Sequence, residues 1–252
     1  MYVSQSRVTS ITQSLLNTAE AARFLRVSQA SIRRWSDSGQ LPARRVGGRR
    51  ERRFKQSDLV AFMDRQDGAT GPGPVSVGGV RVSVPSHIAP FYSTDAGRLR
   101  LTVPFLAEGL RHGEPCILVG TEPVLTGYLE ALEAQDGVEL RQAEEEGRFT
   151  AIRLEGGETA AVIAFWERRL SEVIAGGARV IRLVGEMARV RTMFISEDEM
   201  LRYEEAFELM SSRYPVVAVC QYDVREFDGI AMLRALKAHP DMFELRIGAF
   251  LN

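Results

Sequence analysis

Residues 17–54 read NTAEAARFLRVSQASIRRWSDSGQLPARRVGGRRERRF. Asn17 or Thr18 is placed to cap a helix, and Glu20 lies three residues after Asn17, the spacing of a capping box. Ala21, Ala22, Phe24 and Leu25 then supply an apolar face at helical spacing. Val27 and Ser28 make a turn, and Ser28 is positioned to cap a second helix over 29–38. On that helix Ile32 and Trp35 are expected to face inward, and Gln29, Ser31, Arg33 and Arg34 outward. Gly39 ends it, and Leu41-Pro42 opens an extended segment.

Two short helices joined by a tight turn, the second carrying polar and Arg side chains outward, fit a helix-turn-helix. A helix of this size enters the DNA major groove, where Arg bonds guanine and Gln bonds adenine. Arg44, Arg45, Arg49, Arg50, Arg52 and Arg53 surround Gly47-Gly48, which reads as the tip of a hairpin. So charged a hairpin suits phosphate, beside a helix that reads bases. Residues 55–58 open a closing helix whose Leu59, Val60, Phe62 and Met63 are expected to pack back on the unit. The order resembles the winged helix-turn-helix of the MerR/excisionase superfamily. The candidate DNA contacts are therefore Ser28, Gln29, Ser31, Arg33, Arg34 and the six wing arginines.

At 252 residues and 45% apolar content the chain has room for two domains with real cores. The net charge of −1 hides an asymmetry. Through Gln66 there are 13 Lys and Arg against 5 Asp and Glu, a balance of +8, and the remainder carries 19 against 28, or −9. A basic head on an acidic body is expected if only the head meets nucleic acid. The two cysteines, Cys116 and Cys220, each lie in an apolar strand-like run, and their number excludes a disulfide scaffold. Neither a signal peptide nor an apolar span near 20 residues is evident, so a cytoplasmic location without membrane insertion is expected.

Residues 1–14 are polar and read as a loose arm, 15–66 as the winged unit, and 67–79, DGATGPGPVSVGG, as a Gly/Pro linker. From residue 80 to 252 the pattern becomes α/β. Helices are predicted at 99–111, 123–134, 159–175, 197–213 and 230–238. Strands are predicted at 115–120, 180–184, 216–221 and 243–250. Short apolar strands alternating with helices imply a mostly parallel sheet covered on both faces.

Ligands of open α/β sheets bind outside the carboxyl ends of the strands. Those ends carry Thr121-Glu122, Glu186-Met187 and Gln221-Tyr222-Asp223, which together could line one pocket, although Glu186 and Asp223 are also placed simply to cap the next helix or loop. A P-loop ATPase is argued against. The two lysines, Lys55 and Lys237, are followed by Gln56 and Ala238, and neither ends a Gly-rich loop. A degenerate relative of the RecA/KaiC-like sheet remains compatible. Nucleophilic catalysis lacks a G-x-S-x-G elbow. His87, Cys220, Asp223 and His239 are acceptable metal ligands by type, yet no C-x-x-C or H-x-x-x-H pair joins them, so spacing supports no metal site and no cofactor is expected. Cys220 is compatible with a redox thiol, although a Cys late in an apolar strand is most often inert core. Tyr203-Glu204-Glu205 and Glu144-Glu145-Glu146 read as solvated faces.

In order, HIAPFY, FLAEGLRHGEPCILV, EEEGRF, IRLVGEM, LRYEEAF and VCQYD occur between residues 87 and 223. The combination resembles the MEDS sensory domain of the dichloromethane-metabolism regulator and related bacterial regulators, over roughly residues 85–245. The resemblance implies a sensor of small organic compounds rather than an enzyme, with His87, Phe91, Tyr92, Glu186, Cys220, Tyr222, Asp223 and His239 as effector-binding candidates beside Thr121, Glu122 and Met187. The expected protein is a homodimeric, double-stranded-DNA-binding transcription regulator whose small-molecule effector modulates operator binding. Its rivals are a nucleotide-binding switch or residual enzyme of degenerate RecA-like type, and a protein-interaction platform tethered to DNA.

Overall fold

The computed structural model describes residues 15–25, 27–47, 51–68, 72–153, 157–243, 245 and 247–252. They divide into two compact units, 1–69 and 70–252. The arm 1–14 and the wing-tip residues Arg49 and Arg50 lie outside the described residues.

In the first unit α1 (Thr18–Leu25), α2 (Gln29–Asp37), β1 (Arg44–Val46), β2 (Glu51–Arg53) and α3 (Gln56–Gly68) occur in order. Asn17 and Glu20 cap each other's backbone amides at 2.8 and 2.9 Å, so the capping box forms. Ser28 accepts from the Ser31 amide at 3.1 Å, fixing where α2 begins. Ala21, Ala22, Ile32, Leu41, Phe54, Leu59 and Phe62 make the core, with the Trp35 and Phe62 rings 4.8 Å apart. Val60 and Met63, expected to pack inward, stand 42% and 43% exposed. The α3 stripe is narrower than the run of apolar residues suggested.

The second unit begins inside the stretch expected to be a linker. Helix α3 extends to Gly68, and β3 (Val75–Val77) and β4 (Val80–Val82) form an antiparallel hairpin. Gly78 and Gly79 both take positive φ, as a two-residue hairpin turn between twisted strands requires. Val75, Val77 and Val82 are buried, which anchors the hairpin to the core.

The main sheet comprises β5 (Ser86–Ile88), β6 (Phe91–Tyr92), β7 (Cys116–Val119), β8 (Phe149–Ile152), β9 (Ile181–Glu186) and β10 (Val216–Asp223). Its order is β5-β10-β9-β7-β8, with β6 also paired to β10, and every pairing is parallel. β7, β9 and β10 are buried along their whole length, as near-continuous apolar runs demand of strands covered on both faces. The crossover helices are α4 (Asp95–Arg111), α5 (Glu122–Glu133), α6 (Leu140–Glu145), α7 (Thr159–Ala175), α8 (Met187–Val190) and α9 (Glu197–Ser211), and α10 (Gly229–Ala238) follows the last strand. α4 packs with α5, and α7 with α9, which in turn meets α10. Among the described residues no strand forms over 243–250, where one was expected: Pro240–Phe243 and Ile247–Phe250 are 3-10 turns. Leu251 bridges to Phe91. Among the described residues no helix is long and apolar enough to cross a membrane.

β9 buries an arginine. Arg182 meets Glu114 at 2.6 Å and Glu108 and the Phe105 carbonyl at 2.8 and 2.6 Å, and lies over the Phe105 ring. Its stem passes so close to α4 that a Cβ at Gly109 would stand 2.5 Å from it, which explains the glycine within that helix. Arg182→Leu is expected to lower unfolding free energy by about 2–4 kcal/mol, below the cost of breaking a wholly buried pair because Glu108 and Glu114 are 37% and 22% exposed and rehydrate. A denaturant midpoint that falls at unchanged m-value checks it.

Candidate functional site

The DNA-facing candidates separate by burial. Gln29 and Arg33, one turn apart on α2, are exposed and bonded to each other at 3.3 Å. Ser31 and Arg34 are not on that face: they are 2% and 9% exposed. Four residues along a helix return to the same side, so Gln29 and Arg33 share one face, while Ser31 and Arg34, one turn apart from each other, point away from it. Ser28 serves as the cap. On the wing Arg45 stands opposite Arg52, two like charges that repel. Asp37 at the end of α2 accepts from both, at 3.0 and 2.6 Å, and so ties the wing to the helix. Arg53 pairs with Glu51 at 2.9 Å, and Arg44 is exposed.

In the second unit the alternation of β10 sorts the effector candidates into two groups, because successive side chains point to opposite faces of a sheet. Gln221 and Asp223 share the α4–α5 face. The Gln221 amide donates to the Arg98 carbonyl at 2.8 Å and its carbonyl accepts from Tyr128, whose hydroxyl also meets Thr102 at 3.0 Å. Tyr92, in register with Asp223, donates to Glu186 at 2.7 Å. The same carboxylate caps α8 through the Ala188 and Arg189 amides at 3.2 and 3.0 Å. Burial still holds the Glu186 carboxyl above its ordinary range against these donors. Burial, with the Glu186 charge, pushes the Tyr92 hydroxyl far up, so it stays a donor. Asp223 is held below its ordinary range chiefly by the Arg225 guanidinium at 2.6 Å.

Cys220 and Tyr222 point the other way, toward α9 and α10, and His87, in register with Ala218, joins them. The fourth partner is Glu204 of α9, 0% exposed, where a solvated face was expected. His87 Nε2 lies 3.1 Å from Cys220 Sγ and 3.5 Å from Glu204 Oε2, and His87 Nδ1 is 3.3 Å from Glu208. His239, closing α10, has Nε2 3.0 Å from Glu204 Oε2 and Nδ1 2.7 Å from the Ala235 carbonyl. Tyr222 donates to Glu204 at 3.2 Å. Burial opposes the Glu204 charge, and the hydrogen bond and charge of His239 more than offset it, so the carboxyl sits below its ordinary range. His239 is the mirror case: burial lowers it, and Glu204 raises it further than burial takes away. Burial and the Glu204 charge push the Cys220 thiol well up. Ligand-type atoms of His87, Glu204, Cys220 and His239 all lie within 4.8 Å of one another.

One pocket at the strand ends therefore does not gather all the candidates. The sheet separates Asp223 from Cys220 and Tyr222. Glu122 is largely exposed and paired with Arg153, Thr121 precedes α5 without a side-chain cap bond, and Met187 is buried core. Phe91 stacks on Tyr222 with ring centroids 5.7 Å apart. Glu204 was legible in one respect: Met200, Tyr203 and Phe207 mark the buried stripe of α9, and position 204 falls inside it.

Comparison with known proteins finds a match within each of the two units. Residues 86–240 match the domain described as MEDS, the methanogen/methylotroph, DcmR sensory domain, and residues 15–67 match a helix-turn-helix domain. The transcriptional repressor DcmR of Methylorubrum extorquens is 35% identical over 246 residues, 92% of each chain. The flagellar accessory protein FlaH of Methanocaldococcus jannaschii is similar at 14% identity and a TM-score of 0.46, over 70% of this chain and 74% of that one. The chain belongs to the family of helix-turn-helix transcription regulators that carry a MEDS sensory domain.

Proposed function

We propose that this protein is an effector-controlled repressor: its first unit binds operator DNA and its MEDS unit sets that binding according to a small organic compound. One observation carries the reading. The solvent face of α2, defined by the Ser28 cap, presents Gln29 and Arg33 next to a wing of arginines, in the same chain as a sensory domain. The similar DcmR protein is a repressor, and the same sign of regulation is proposed here. The location is cytoplasmic, where DNA is.

Base reading falls to Gln29 and Arg33, and phosphate contact to Arg44, Arg45, Arg52 and Arg53. The effector is proposed to meet the Tyr92–Glu186–Asp223 group at the carboxyl ends of β6, β9 and β10, the position ligands favour in open α/β sheets. A homodimer supplies two recognition helices for paired half-sites. Apolar side chains on the sensory unit support it: Ile230 and Leu233, one turn apart on α10, are 70% and 69% exposed.

Arg33→Ala is expected to weaken operator binding by about 1–3 kcal/mol, roughly 5- to 150-fold, with little change on unrelated DNA. Arg44→Ala weakens both and flattens the salt slope by about 0.9. Arg34→Ala acts instead through stability of the unit. Fluorescence anisotropy on operator and scrambled duplexes at several salt concentrations checks all three, and equal binding by the parent, Arg33→Ala and Arg44→Ala proteins removes the reading.

Tyr92→Phe is expected to leave effector-free operator affinity unchanged while shifting the effector concentration that releases DNA, read by repeating the anisotropy across a panel of small organic compounds. Leu233→Asp is expected to shift the sedimentation coefficient from dimer to monomer with unaltered circular dichroism.

A further inference from the structure

We infer that His87, Glu204, Cys220 and His239 form a closed, four-ligand site for a divalent transition-metal ion of the zinc type, which staples the edge of the sensory sheet to its covering helices. The inference is independent of the effector reading, since it concerns the opposite face of β10.

Ligand chemistry comes first. Two imidazoles, one thiol and one carboxylate are a donor set that zinc accepts, and it excludes the all-oxygen shells of calcium and magnesium. Ligand atoms around a tetrahedral ion with bonds of about 2.0–2.3 Å stand roughly 3.3–3.8 Å apart. Here the separations are 3.1 Å from His87 Nε2 to Cys220 Sγ, 3.5 Å from His87 Nε2 to Glu204, 3.0 Å from His239 Nε2 to Glu204, and 4.0 Å from Cys220 Sγ to the other Glu204 oxygen. These values lie near the tetrahedral edge, while the whole set of ligand atoms spans up to 4.8 Å, so the widest pair closes by about 1 Å when an ion enters.

The outer shell is the second, independent observation. A ligating histidine usually donates its remote ring N–H to a carbonyl or carboxylate, which fixes the tautomer and turns the other nitrogen's lone pair toward the metal. His239 is arranged this way, and His87 has a carboxylate at ion-pair distance from its remote nitrogen. His239 Nδ1 lies 2.7 Å from the Ala235 carbonyl and His87 Nδ1 lies 3.3 Å from Glu208, while both Nε2 atoms face the centre. Tyr222 donates to Glu204, as ligating carboxylates commonly require. With four protein ligands and exposures of 1%, 0%, 4% and 0%, the site resembles closed structural centres rather than catalytic ones that keep a position for water. No spacing motif announces it, because the ligands come from β5, α9, β10 and the end of α10.

Without metal the same atoms would form a buried His–Glu ion pair, and the two states are separable on the full-length protein. Elemental analysis of protein purified in zinc-supplemented, chelator-free buffer is expected to give about one zinc per chain, the occupancy a single closed site implies. Cobalt(II) added to chelator-treated protein is expected to show tetrahedral ligand-field bands and a thiolate-to-cobalt charge-transfer band. Cys116→Ser keeps that band and Cys220→Ser loses it, while His239→Gln weakens cobalt binding about 100-fold or more, beyond the effect of an outer-shell change. Zinc also raises the thermal midpoint of the parent protein, since it binds only the folded chain. Parent protein that takes up no zinc and shows no thiolate band with cobalt overturns the inference, whether or not the variants fold. So does a band that Cys220→Ser retains.

Discussion

A carboxylate with no exposed surface must find its counter-charge and hydrogen bonds inside the protein, because its desolvation costs several kcal/mol. Glu204 is such a group, and the edge of the sensory sheet is arranged around it. It takes His239 from the end of α10, His87 from β5, and Cys220 and Tyr222 from β10. β5 has only three residues, too few to hold an edge by its ladder alone. Asp241 adds to the anchoring by accepting from the His87 amide at 3.1 Å. The 3-10 turn over Pro240–Phe243 thus answers the same requirement, since it carries Asp241 directly after His239.

The alternation of β10 is the second organising constraint. Eight buried residues in a row place Cys220 and Tyr222 on one face and Gln221 and Asp223 on the other, so one short run of sequence supplies two unlike environments. Toward α4 and α5 the polar atoms are amides, hydroxyls and capped carboxylates with several donors each. Toward α9 and α10 they are the titratable atoms of the His–Glu–Cys group. Proximity in sequence therefore misled the expectation of a single pocket. Gln221, Tyr222 and Asp223 looked like one lining, and the pleat divides them.

Legibility in the chain alone tracks the range of the interactions involved. Caps act over three residues, so Asn17–Glu20 and Ser28–Ser31 were legible, and with them the helix-turn-helix. The helix over 159–175 likewise carries its own period and matches Thr159–Ala175. The face of α2 was harder to assign, because its buried positions Ser31, Ile32 and Arg34 form a wide arc on a short helix, and the charge of Arg34 made it look like its exposed neighbour Arg33. The valines of 75–82 alternate around Gly-Gly, a hairpin signal in itself, but Pro72 and Pro74 made the stretch look like linker. β8 and the two-strand edge of β5 and β6 were not distinguished, for they are short and gain their pairing from β7 and β10, distant in sequence. The partners of His87 lie 117 to 154 residues away, and no local spacing encodes them.

The segment 86–92 links the two faces. His87 reaches the α9–α10 side, Phe91 stacks on Tyr222 of the same side, and Tyr92 bonds Glu186 toward α8 on the opposite one. The chain terminus is tied to it as well, through the Asn252 amide on the Phe91 carbonyl at 2.7 Å. A close-packed interior does not deform continuously, so a displacement of Tyr92 is passed to Phe91 and His87 or resisted by them together. A ligand shifts a conformational equilibrium only by its differential affinity for the two states. For a compound bound at Tyr92 and Glu186, that difference must therefore include the energy of moving or holding the His87–Glu204–His239 packing. In the effector reading proposed above, the rigidity of one face would set the sensitivity of the other.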